Sequence, residues 1–534
     1  MAPRNLRSPA NKSNPPNHVY TPRGCGVSEL GDIEVVPRGD ELHLFHLTLP
    51  NHDVVQHAVS RDGLSWTPLP AALRTGDPGA IDDDQIWTMS VTPRPRGDGY
   101  LMLYTALSSA DDGRVQRVAA ATSSDLLHWE KSPDNPVSEA DPRWYESQPG
   151  PSPAVSWRDP KATRVGDRYL ATICAREASG PLPRRGCVGL MTSDDLEQWE
   201  VQPPLFAPHR YWDLECPQLF QLQNRSDASF WFLTAAIMED RSQRYWAAES
   251  ATGPFRVPWH GDLLAPPGHY AARVAHWRGS DLLFAWHQPK LAEGWMTSAR
   301  TVDWVDARNP FGKFMAPPLE LRDRGDGSLA LSSFSGWDAY RDDEWQSPRP
   351  DGQSAFGHLP TVADSGWSVI AWSAMDLLTT TLGADDFVVE GLLTIYGPRG
   401  GVALRLDDAG SGLYIELTPG SRSVSLQRWG SDHNAIDGSS RHAYVELQRV
   451  DMAAPFAGAE PAPFRLLSVG PYVEFSLGGD VAIATMTGAS GHSRWGIWIQ
   501  DGTAHATDIR WAPMRRPAPP GHERSTVIQE TTIA

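Results

Sequence analysis

Apolar and polar residues alternate in short runs along most of this chain, and a Gly/Asp or Ser/Asp turn precedes many of the runs. One such phrase of a turn and a strand returns five times, beginning at residues 39, 97, 166, 226 and 279. Alternation with a period of two predicts β-strands, because successive side chains of a strand point to opposite faces of the sheet. Apolar positions with helical spacing are nearly absent, so the pattern indicates an all-β protein.

A second phrase is interleaved with the first and consists of a Ser/Asp cluster followed by a tryptophan. It ends at Trp66, Trp129 and Trp199, and a weaker copy lies at residues 249–255. Short polar side chains satisfy the backbone of a turn, and the tryptophan then anchors the next strand in the core. One repeating unit, with a turn and a few short strands, is too small to bury both faces of its sheet alone. Five such units therefore predict a five-bladed β-propeller over residues 22–315.

The pattern changes after the fifth unit. Residues 316–365 are rich in polar and turn-forming residues and predict a surface linker. Alternating runs then resume, and their spacing predicts a C-terminal β-sandwich over residues 366–514. Residues 1–21 and 515–534 predict disordered tails at the two ends.

The length of the chain indicates the number of domains, and its charge limits the kinds of partner. A chain of 534 residues exceeds one compact core, which agrees with two domains. The formal net charge of −18 argues against nucleic acid and anionic membranes, since both require a basic surface. No apolar run is long enough to cross a membrane, and the first residues lack the apolar stretch of a secretory signal. We therefore expect a cytoplasmic protein.

The four cysteines are widely spaced and match no zinc-binding pattern. A disulfide framework is also not expected for so long a chain with so few cysteines. We expect no metal site and no other cofactor.

Three carboxylates hold equivalent places in the repeating units. Asp32 precedes the first turn-and-strand phrase, Asp159 the third and Glu215 the fourth. The innermost strands of a propeller surround one axial pocket, so equivalent positions at their starts are expected to converge. Glycoside hydrolysis needs two carboxyl groups: one protonates the leaving oxygen and the other attacks the anomeric carbon or activates water. A single acid of this kind is more often a solvated turn residue, but three in register favour a glycosidase site.

The sequence around these acids resembles a known family. The Arg-Asp-Pro motif at 158–160 and the Glu-Cys-Pro motif at 215–217 are similar to the two diagnostic motifs of glycoside hydrolase family 32, the invertase, inulinase and levanase group. Residues 57–73, 270–286 and 318–321 are similar to other parts of its propeller, and residues 472–475 to a strand of its C-terminal sandwich. The resemblance implies a carbohydrate substrate with β-fructofuranosidic bonds.

The resemblance also implies a role for each acid. Asp32 would be the nucleophile, Asp159 the residue that stabilises the transition state, and Glu215 the general acid/base. The reaction would retain configuration through a covalent intermediate, which calls for about 5 to 5.5 Å between the Asp32 and Glu215 carboxyl groups. Arg158 would bind substrate hydroxyls and hold Asp159 ionised, and Cys216 would pack behind the site.

The stretch around Asp32 departs from the family pattern. The family usually has a Trp-Met-Asn-Asp-Pro-Asn-Gly phrase there, whereas this chain has Ser-Glu-Leu-Gly-Asp-Ile-Glu at 28–34. Glu29 and Glu34 are therefore alternative working acids. Two stretches contain candidates for a rebuilt substrate site: His52 and Asp53 follow the first strand, and Asp83 and Trp87 come before the second copy of the turn-and-strand phrase. The alternative is that these residues are solvated loop residues or pack within a blade.

Two other functions stay open at this point. A related five-bladed enzyme could act on another furanose, for example an arabinofuranoside, and the altered nucleophile region favours this alternative. A carbohydrate-binding protein without catalysis is the third possibility, although it would have no need for a buried acid. The sequence sets neither the sugar and linkage, nor hydrolysis against sugar transfer, nor the oligomeric state.

Overall fold

The computed structural model describes residues 29–49, 51–95, 99–150, 152–223, 230–287, 313–342, 344–351, 361–363, 366–432, 441–452, 460–487 and 492–517. The predicted fold class is confirmed: five small antiparallel sheets form the blades of a propeller, and a β-sandwich follows. The propeller strands are β1 (Glu29–Arg38), β2 (Glu41–Leu49), β3 (Val54–Ser60), β4 (Thr67–Arg74), β5 (Gln85–Pro93), β6 (Tyr100–Leu107), β7 (Arg117–Ser123), β8 (Glu130–Lys131), β9 (Trp157–Val165), β10 (Arg168–Arg176), β11 (Gly186–Ser193), β12 (Glu200–Phe206), β13 (Glu215–Phe220), β14 (Trp231–Ile237), β15 (Ser242–Ala248), β16 (His269–Trp277), β17 (Ser280–His287), β18 (Phe314–Met315), β19 (Leu319–Asp323) and β20 (Leu329–Ser333).

Each blade is built from consecutive strands. Blades 1, 2 and 3 contain β1–β4, β5–β8 and β9–β12; blade 4 has β13–β15 in the described residues, and blade 5 has β16–β20. The innermost strands β1, β5, β9, β13 and β16 contact one another in that order, and β16 returns to β1. This closed ring places the beginnings of five strands around one axis, as the repeat predicts.

The Ser/Asp phrase forms the same turn in each blade where it is clear. Asp62 accepts the backbone N–H groups of the residues two and three positions later, at 2.8 and 2.7 Å. Asp125 and Asp195 do the same at 2.8 to 3.0 Å. The residue after each aspartate has a positive φ, and blade 1 has Gly63 there, at 75°. The repeat therefore reflects a real structural unit, in which aspartate replaces the backbone partners of a tight turn.

The fifth blade extends past residue 315, where the sequence pattern placed the end of the propeller. β19 pairs with β17 and β20 with β19, so residues 319–333 of the predicted linker belong to this blade. Strands of five residues are too short for alternation to reveal them. Short 3-10 helices lie at Ser109–Asp111, Leu182–Arg184 and Ser335–Tyr340.

The strands of the second domain pack over a hydrophobic core that includes Phe387, Phe475 and Trp495. The long strand β31 pairs with β24 through its first half and with β23 through its second half, so it joins the two halves of the sandwich. The sandwich strands are β21 (Thr361–Ala363), β22 (Gly366–Thr381), β23 (Phe387–Tyr396), β24 (Arg399–Leu406), β25 (Gly412–Thr418), β26 (Ser423–Asp432), β27 (Arg441–Asp451), β28 (Ala462–Val469), β29 (Tyr472–Leu477), β30 (Asp480–Met486) and β31 (Arg494–Pro513).

The two domains share one apolar cluster. Side chains from blade 5 and from the segment after it pack against Leu467, Tyr472 and Met514 of the sandwich. The rings of Trp337 and Tyr472 stack with centroids 5.9 Å apart. Among the described residues, no helix has the length and hydropathy of a membrane span. The predicted tails lie outside those residues, apart from 515–517.

Candidate active site

A cavity of about 290 Å³ lies where the five innermost strands begin, and all five blades contribute to its wall. Six of the residues singled out from the sequence line it together: Asp32, His52, Trp87, Arg158, Asp159 and Glu215. One carboxylate oxygen of Asp32, one of Asp159 and the Cys216 Sγ lie within 4.8 Å of one another. Asp32 and Asp159 are 127 residues apart in the chain, and Glu215 follows Asp159 by 56 residues, so the ring of strands brings distant carboxylates to one place.

Every innermost strand has a β-bulge next to this cavity. The ladder to the second strand loses register at residues 31–32, 88, 159–160, 216–217 and 271–272. A bulge bends its strand and redirects the side chains, and bulges are common beside active sites. Proline is tolerated at 160 and 217 because a bulge residue does not need to donate to the ladder. The bulges explain why residues from five strands point into one cavity.

Three bulge residues have backbone conformations that are unfavourable for a residue with a Cβ atom. The φ angles of Asp159, Cys216 and Ala271 are 59°, 48° and 49°. Such a conformation costs on the order of 1 to 3 kcal/mol and persists only where the surrounding structure enforces it. Three of the strained residues of the chain thus lie in the bulges beside the cavity.

Two side chains from other blades hold Asp32. The Thr88 hydroxyl donates a hydrogen bond to Oδ2, and the Trp286 indole N–H donates to Oδ1 at 3.0 Å. Thr88 lies in the bulge of blade 2 and Trp286 on the second strand of blade 5. With both oxygens held, the Asp32 carboxylate has a fixed orientation although the family's usual neighbours are missing.

Glu215 is held from both sides as well. The Tyr270 hydroxyl donates to Oε2, and Arg158 donates to Oε1 at 2.8 Å. The same guanidinium donates to Asp213 at 2.9 Å and to the Ser156 hydroxyl at 2.9 Å. Arg158 is therefore chiefly a holder of Glu215 and Asp213.

Asp159 lies deepest of the three acids and is 1% exposed. Burial raises the pKa of this carboxyl to about 6; the nearby Arg158 opposes the rise, and the charges of Asp32 and Glu215 add to it. The Arg158 Nε is 3.6 Å from Oδ2, and the Cys216 backbone N–H donates to the same oxygen at 2.9 Å. The sequence leads us to expect that Arg158 holds Asp159 ionised; Arg158 does favour the ionised form, and the opposing effect of burial on the pKa is larger.

His52 and Trp87 form a neighbouring part of the wall, with ring centroids 5.2 Å apart. Burial lowers the pKa of His52 to about 4, so the imidazole is neutral at neutral pH. Asp53 is exposed and does not belong to the lining. Asp83 also lies outside the lining, where it accepts the N–H groups of Gly79 and Ser109 at 2.8 and 2.7 Å and joins two loops.

The alternative acid Glu34 has a different setting. It is 1% exposed, lies outside the cavity lining and pairs with Lys161 and with Arg273, whose Nε is 3.4 Å away. Glu34 also accepts the Val91 N–H at 3.3 Å, and Arg273 donates to the Cys216 carbonyl at 2.8 Å. These contacts join all five blades beneath the site, so Glu34 has a structural setting. The Glu29 side chain lies outside the described part of the chain.

Several residues that contact the acids were not singled out from the sequence. Tyr270, Trp286 and Asp213 line the cavity, and Thr88 donates to Asp32 from the bulge of blade 2. A signal for Thr88 and Tyr270 was present, because they hold, in the second and fifth repeats, the places that Asp32, Asp159 and Glu215 hold in the others. They are not carboxylates, and the two carboxyl groups that glycoside hydrolysis requires give no reason to expect a hydroxyl at these places. Trp286 lies on a second strand, and only the folded structure shows that its indole reaches Asp32.

Cys216 does not have the character of a nucleophile or a metal ligand. It is 1% exposed and packs in the core cluster that joins blades 1, 4 and 5. Burial raises the pKa of its thiol well above the usual value, whereas nucleophilic and metal-binding cysteines act as thiolates.

Comparison with known proteins identifies the family to which the chain belongs. A model described as the glycosyl hydrolases family 32 N-terminal domain matches residues 35–307, which is just over half of the chain. The chain belongs to glycosyl hydrolase family 32. The match covers the innermost strands of blades 2 to 5, the end of β1, and the acids Asp159 and Glu215, and it begins three residues after Asp32.

Individual family 32 relatives match over shorter stretches. An insoluble-isoenzyme β-fructofuranosidase of Arabidopsis thaliana is 31% identical over 179 residues, which are 32% of this chain and 28% of that protein. A sucrose-6-phosphate hydrolase of Zymomonas mobilis is 28% identical over 302 residues, which are 50% of this chain and 56% of that protein. The matches thus span little more than half of these relatives at most.

The fold is similar over nearly the whole chain. A fructan 1-exohydrolase of Cichorium intybus, solved in complex with 1-kestose, has a TM-score of 0.67 at 16% identity, covering 95% of this chain and 98% of that one. At this identity the likeness shows the shared propeller and sandwich.

Proposed function

We propose that this protein is a β-fructofuranosidase that cleaves its substrate by a retaining mechanism with two carboxylates. The observation that carries the proposal is the meeting of Asp32, Asp159 and Glu215 in one axial cavity of a family 32 propeller. Relatives that match parts of the chain are named β-fructofuranosidase, fructan 1-exohydrolase and sucrose-6-phosphate hydrolase.

In the first step the Asp32 carboxylate attacks the anomeric carbon while Glu215 donates a proton to the leaving oxygen. The bond to the leaving group breaks, and an ester forms between the sugar and Asp32. Thr88 and Trp286 orient the attacking carboxylate, and Tyr270 and Arg158 orient the acid. Positioning of this kind lowers the barrier because the reacting groups are held in place before the reaction begins.

In the second step Glu215 accepts a proton from a water molecule, and the oxygen of that water attacks the same carbon. The ester breaks and Asp32 leaves as a carboxylate. Between the two steps the ring carries positive charge, which the nearby Asp159 stabilises when ionised. With a pKa of about 6, Asp159 is mostly ionised at pH 7.

The cavity volume of about 290 Å³ lies near the lower end of the range for small-molecule sites, roughly 300 to 1,000 Å³. A cavity of this size favours short substrates such as a disaccharide. One observation keeps a second furanose in consideration: Asp32 is held by Thr88 and Trp286 within a stretch that lacks the family's usual residues, so the pocket around the sugar ring is rebuilt.

The test is sugar release from sucrose, short inulin and levan oligomers, and aryl arabinofuranosides. We expect fructose release by the wild type and a loss of about 10²- to 10⁴-fold in Glu215→Gln. Glu249→Gln is the matched control, because Glu249 is an exposed residue of the same blade outside the cavity. Release of arabinose alone would move the substrate and keep the mechanism, and no release from any of these substrates would contradict the proposal.

A further inference from the structure

A lysine just before β18 lies in the wall of the axial cavity and takes no part in the proposed mechanism. Lys313 lines the cavity and is 5% exposed. It precedes Phe314, which pairs with His287 of β17, and β18 also contacts β1. Lys313 therefore reaches the cavity between blade 5 and blade 1. A lysine is seldom buried to this degree, because its ammonium group loses hydration.

Two aromatic neighbours place the Lys313 ammonium on the Asp32 side of the cavity. Its Nζ is 5.3 Å from the centre of the Trp286 ring, and the indole N–H of the same ring donates to Asp32 at 3.0 Å. The second neighbour is His52. Burial lowers the pKa of this imidazole; the charge of Asp32 opposes that effect, and the charge of Lys313 adds to it. The carboxylate and the ammonium thus lie close to the same two rings.

Much of the wall beside Asp32 is apolar. Gly31, Leu47 and Leu49 line the cavity there. A Cβ atom at residue 31 would meet the two leucine side chains at 3.0 to 3.2 Å, so this part of the wall is closely packed. A sugar ring against this wall presents hydroxyl groups, and each hydroxyl that loses water needs a new partner. The ammonium of Lys313 supplies N–H donors for hydroxyl oxygens.

The positions of the two reacting carboxyl groups identify the part of the substrate that Lys313 meets. In the proposed mechanism Glu215 protonates the leaving oxygen, and its partner Tyr270 lies on that side. Asp32 attacks the anomeric carbon, so the sugar that becomes its ester lies next to Asp32. Lys313 therefore borders the sugar that is transferred to Asp32, and not the leaving group.

We propose that Lys313 donates hydrogen bonds to hydroxyl groups of the sugar that Asp32 attacks, and that it is a specificity-determining residue for this sugar. The inference rests on the proposed function, because the mechanism defines which sugar lies next to Asp32. A site that hydrogen-bonds a substrate hydroxyl rejects an analogue without that hydroxyl, since the buried donor then has no partner. Without the ammonium, this discrimination is lost.

The hydrolysis experiment measures kcat/KM for sucrose and for four derivatives in which hydrogen replaces one hydroxyl of the fructosyl group, at position 1, 3, 4 or 6. We expect the wild type to cleave at least one derivative about tenfold less efficiently than sucrose, the effect of a lost hydrogen bond to a charged group. Lys313→Met keeps an unbranched stem against Trp286 but has no donor. In this variant we expect kcat/KM for sucrose to fall by about the same factor, and that derivative to come within about twofold of sucrose.

Lys131→Met is the matched control. Lys131 is a partly buried lysine of blade 2 that pairs with Asp82 at 2.5 Å and lies outside the cavity. Its substitution breaks an ion pair, but we expect every derivative to keep its wild-type ratio to sucrose. Lys313→Arg retains a charged donor and is expected to keep part of the hydroxyl effect. Lys313→Gln removes the charge with a polar side chain and replaces Lys313→Met if that variant does not fold.

A binding experiment separates this inference from the proposed function. Calorimetry measures the affinity for 2,5-anhydromannitol, which has the fructofuranose ring without the anomeric hydroxyl and cannot be hydrolysed. We expect Lys313→Met to bind this ring about tenfold more weakly than the wild type, and Lys131→Met to bind it as the wild type does.

The inference is overturned if the wild type does not bind 2,5-anhydromannitol, or if Lys313→Met binds it as tightly as the wild type. It is also overturned if each lost hydroxyl has the same effect in Lys313→Met as in the wild type. Should the wild type cleave no fructoside while the binding results are as expected, the proposed function fails and Lys313 is still a sugar-binding residue.

Discussion

The centre of the propeller and the core of the sandwich are both well buried, but they consist of different kinds of side chain and backbone. The sandwich core consists of aliphatic and aromatic side chains, and strand pairs such as β24–β25 and β25–β26 keep an unbroken register. The propeller centre contains buried acids and bases, bulges in all five innermost strands and residues with a positive φ. Burial of apolar side chains stabilises the sandwich. In the propeller centre, buried charged groups and strained backbone reduce the stability of the fold, but they place the charged groups where they can act on a substrate.

The comparison predicts opposite consequences for substitutions in the two regions. In the cavity, loss of one acid is expected to reduce activity strongly and stability little. In the sandwich core, loss of packing is expected to reduce stability and leave the activity of each folded molecule unchanged. The four predictions below test this contrast.

The largest effect is expected for Asp32→Asn. The amide keeps the shape of the side chain but cannot form the ester, so we expect kcat to fall by at least about 10⁴-fold. The melting temperature is expected to stay within a few degrees of the wild type. Kinetics on the best substrate of the panel, with thermal unfolding of the same samples, measures both. Retention of more than a hundredth of the wild-type kcat would exclude Asp32 as the nucleophile.

The next largest effect is a decrease in the free energy of unfolding when Glu34 is substituted in the buried ion-pair cluster beneath the cavity. Glu34→Gln leaves Lys161 and Arg273 buried without their carboxylate, and such a change costs about 3 to 5 kcal/mol. Leu404→Ala is the counterpart in the sandwich core, with an expected cost of about 2 to 5 kcal/mol from the cavity it leaves.

Denaturant unfolding gives the two free energies, and kcat is measured on the folded protein. We expect Glu34→Gln to reduce kcat as well, because its partners hold the bulges of blades 3, 4 and 5. Leu404→Ala is expected to keep the wild-type kcat. Equal effects of the two variants on kcat would remove the contrast between the regions.

The contrast also explains what the sequence could and could not predict. The five repeats, the sandwich and the meeting of Asp32, Asp159 and Glu215 follow from local patterns, because turns and alternation recur in each unit. The end of blade 5 was missed because β19 and β20 are too short to show alternation. Contacts between residues far apart in the chain, such as Trp286 with Asp32, depend on the closed ring of strands and have no local signal.

A smaller effect of opposite sign is expected for Asp159→Asn. Burial raises the pKa of Asp159 from 3.8 to about 6, so its ionised form destabilises the folded state above pH 6. Removal of the charge should therefore stabilise the protein by about 1 to 2 kcal/mol at pH 7, after the loss of the contacts with Arg158 and Cys216. The gain should disappear below about pH 4, where the carboxyl is neutral in both states. A variant less stable than the wild type at pH 7 would contradict the account.

The smallest effect is expected for His46, a buried histidine on β2 of the propeller. Burial lowers the pKa of His46 from 6.5 to about 4, so between these values the unfolded chain binds a proton that the folded chain does not. The free energy of unfolding should fall by about 1.4 kcal/mol per pH unit for this group as the pH decreases. His46→Gln should have a correspondingly shallower slope in unfolding experiments at pH 7, 6 and 5. Identical slopes would show that His46 titrates normally in the folded protein.

The most direct test of the central claim is the configuration of the product formed when the wild type acts on sucrose in the presence of methanol. A retaining pair formed by Asp32 and Glu215 passes through an ester and transfers the sugar to methanol on the original face. Nuclear magnetic resonance of the methyl fructofuranoside is therefore predicted to show the β anomer. The α anomer would mean inversion, and it would contradict the assignment of Asp32 as the nucleophile.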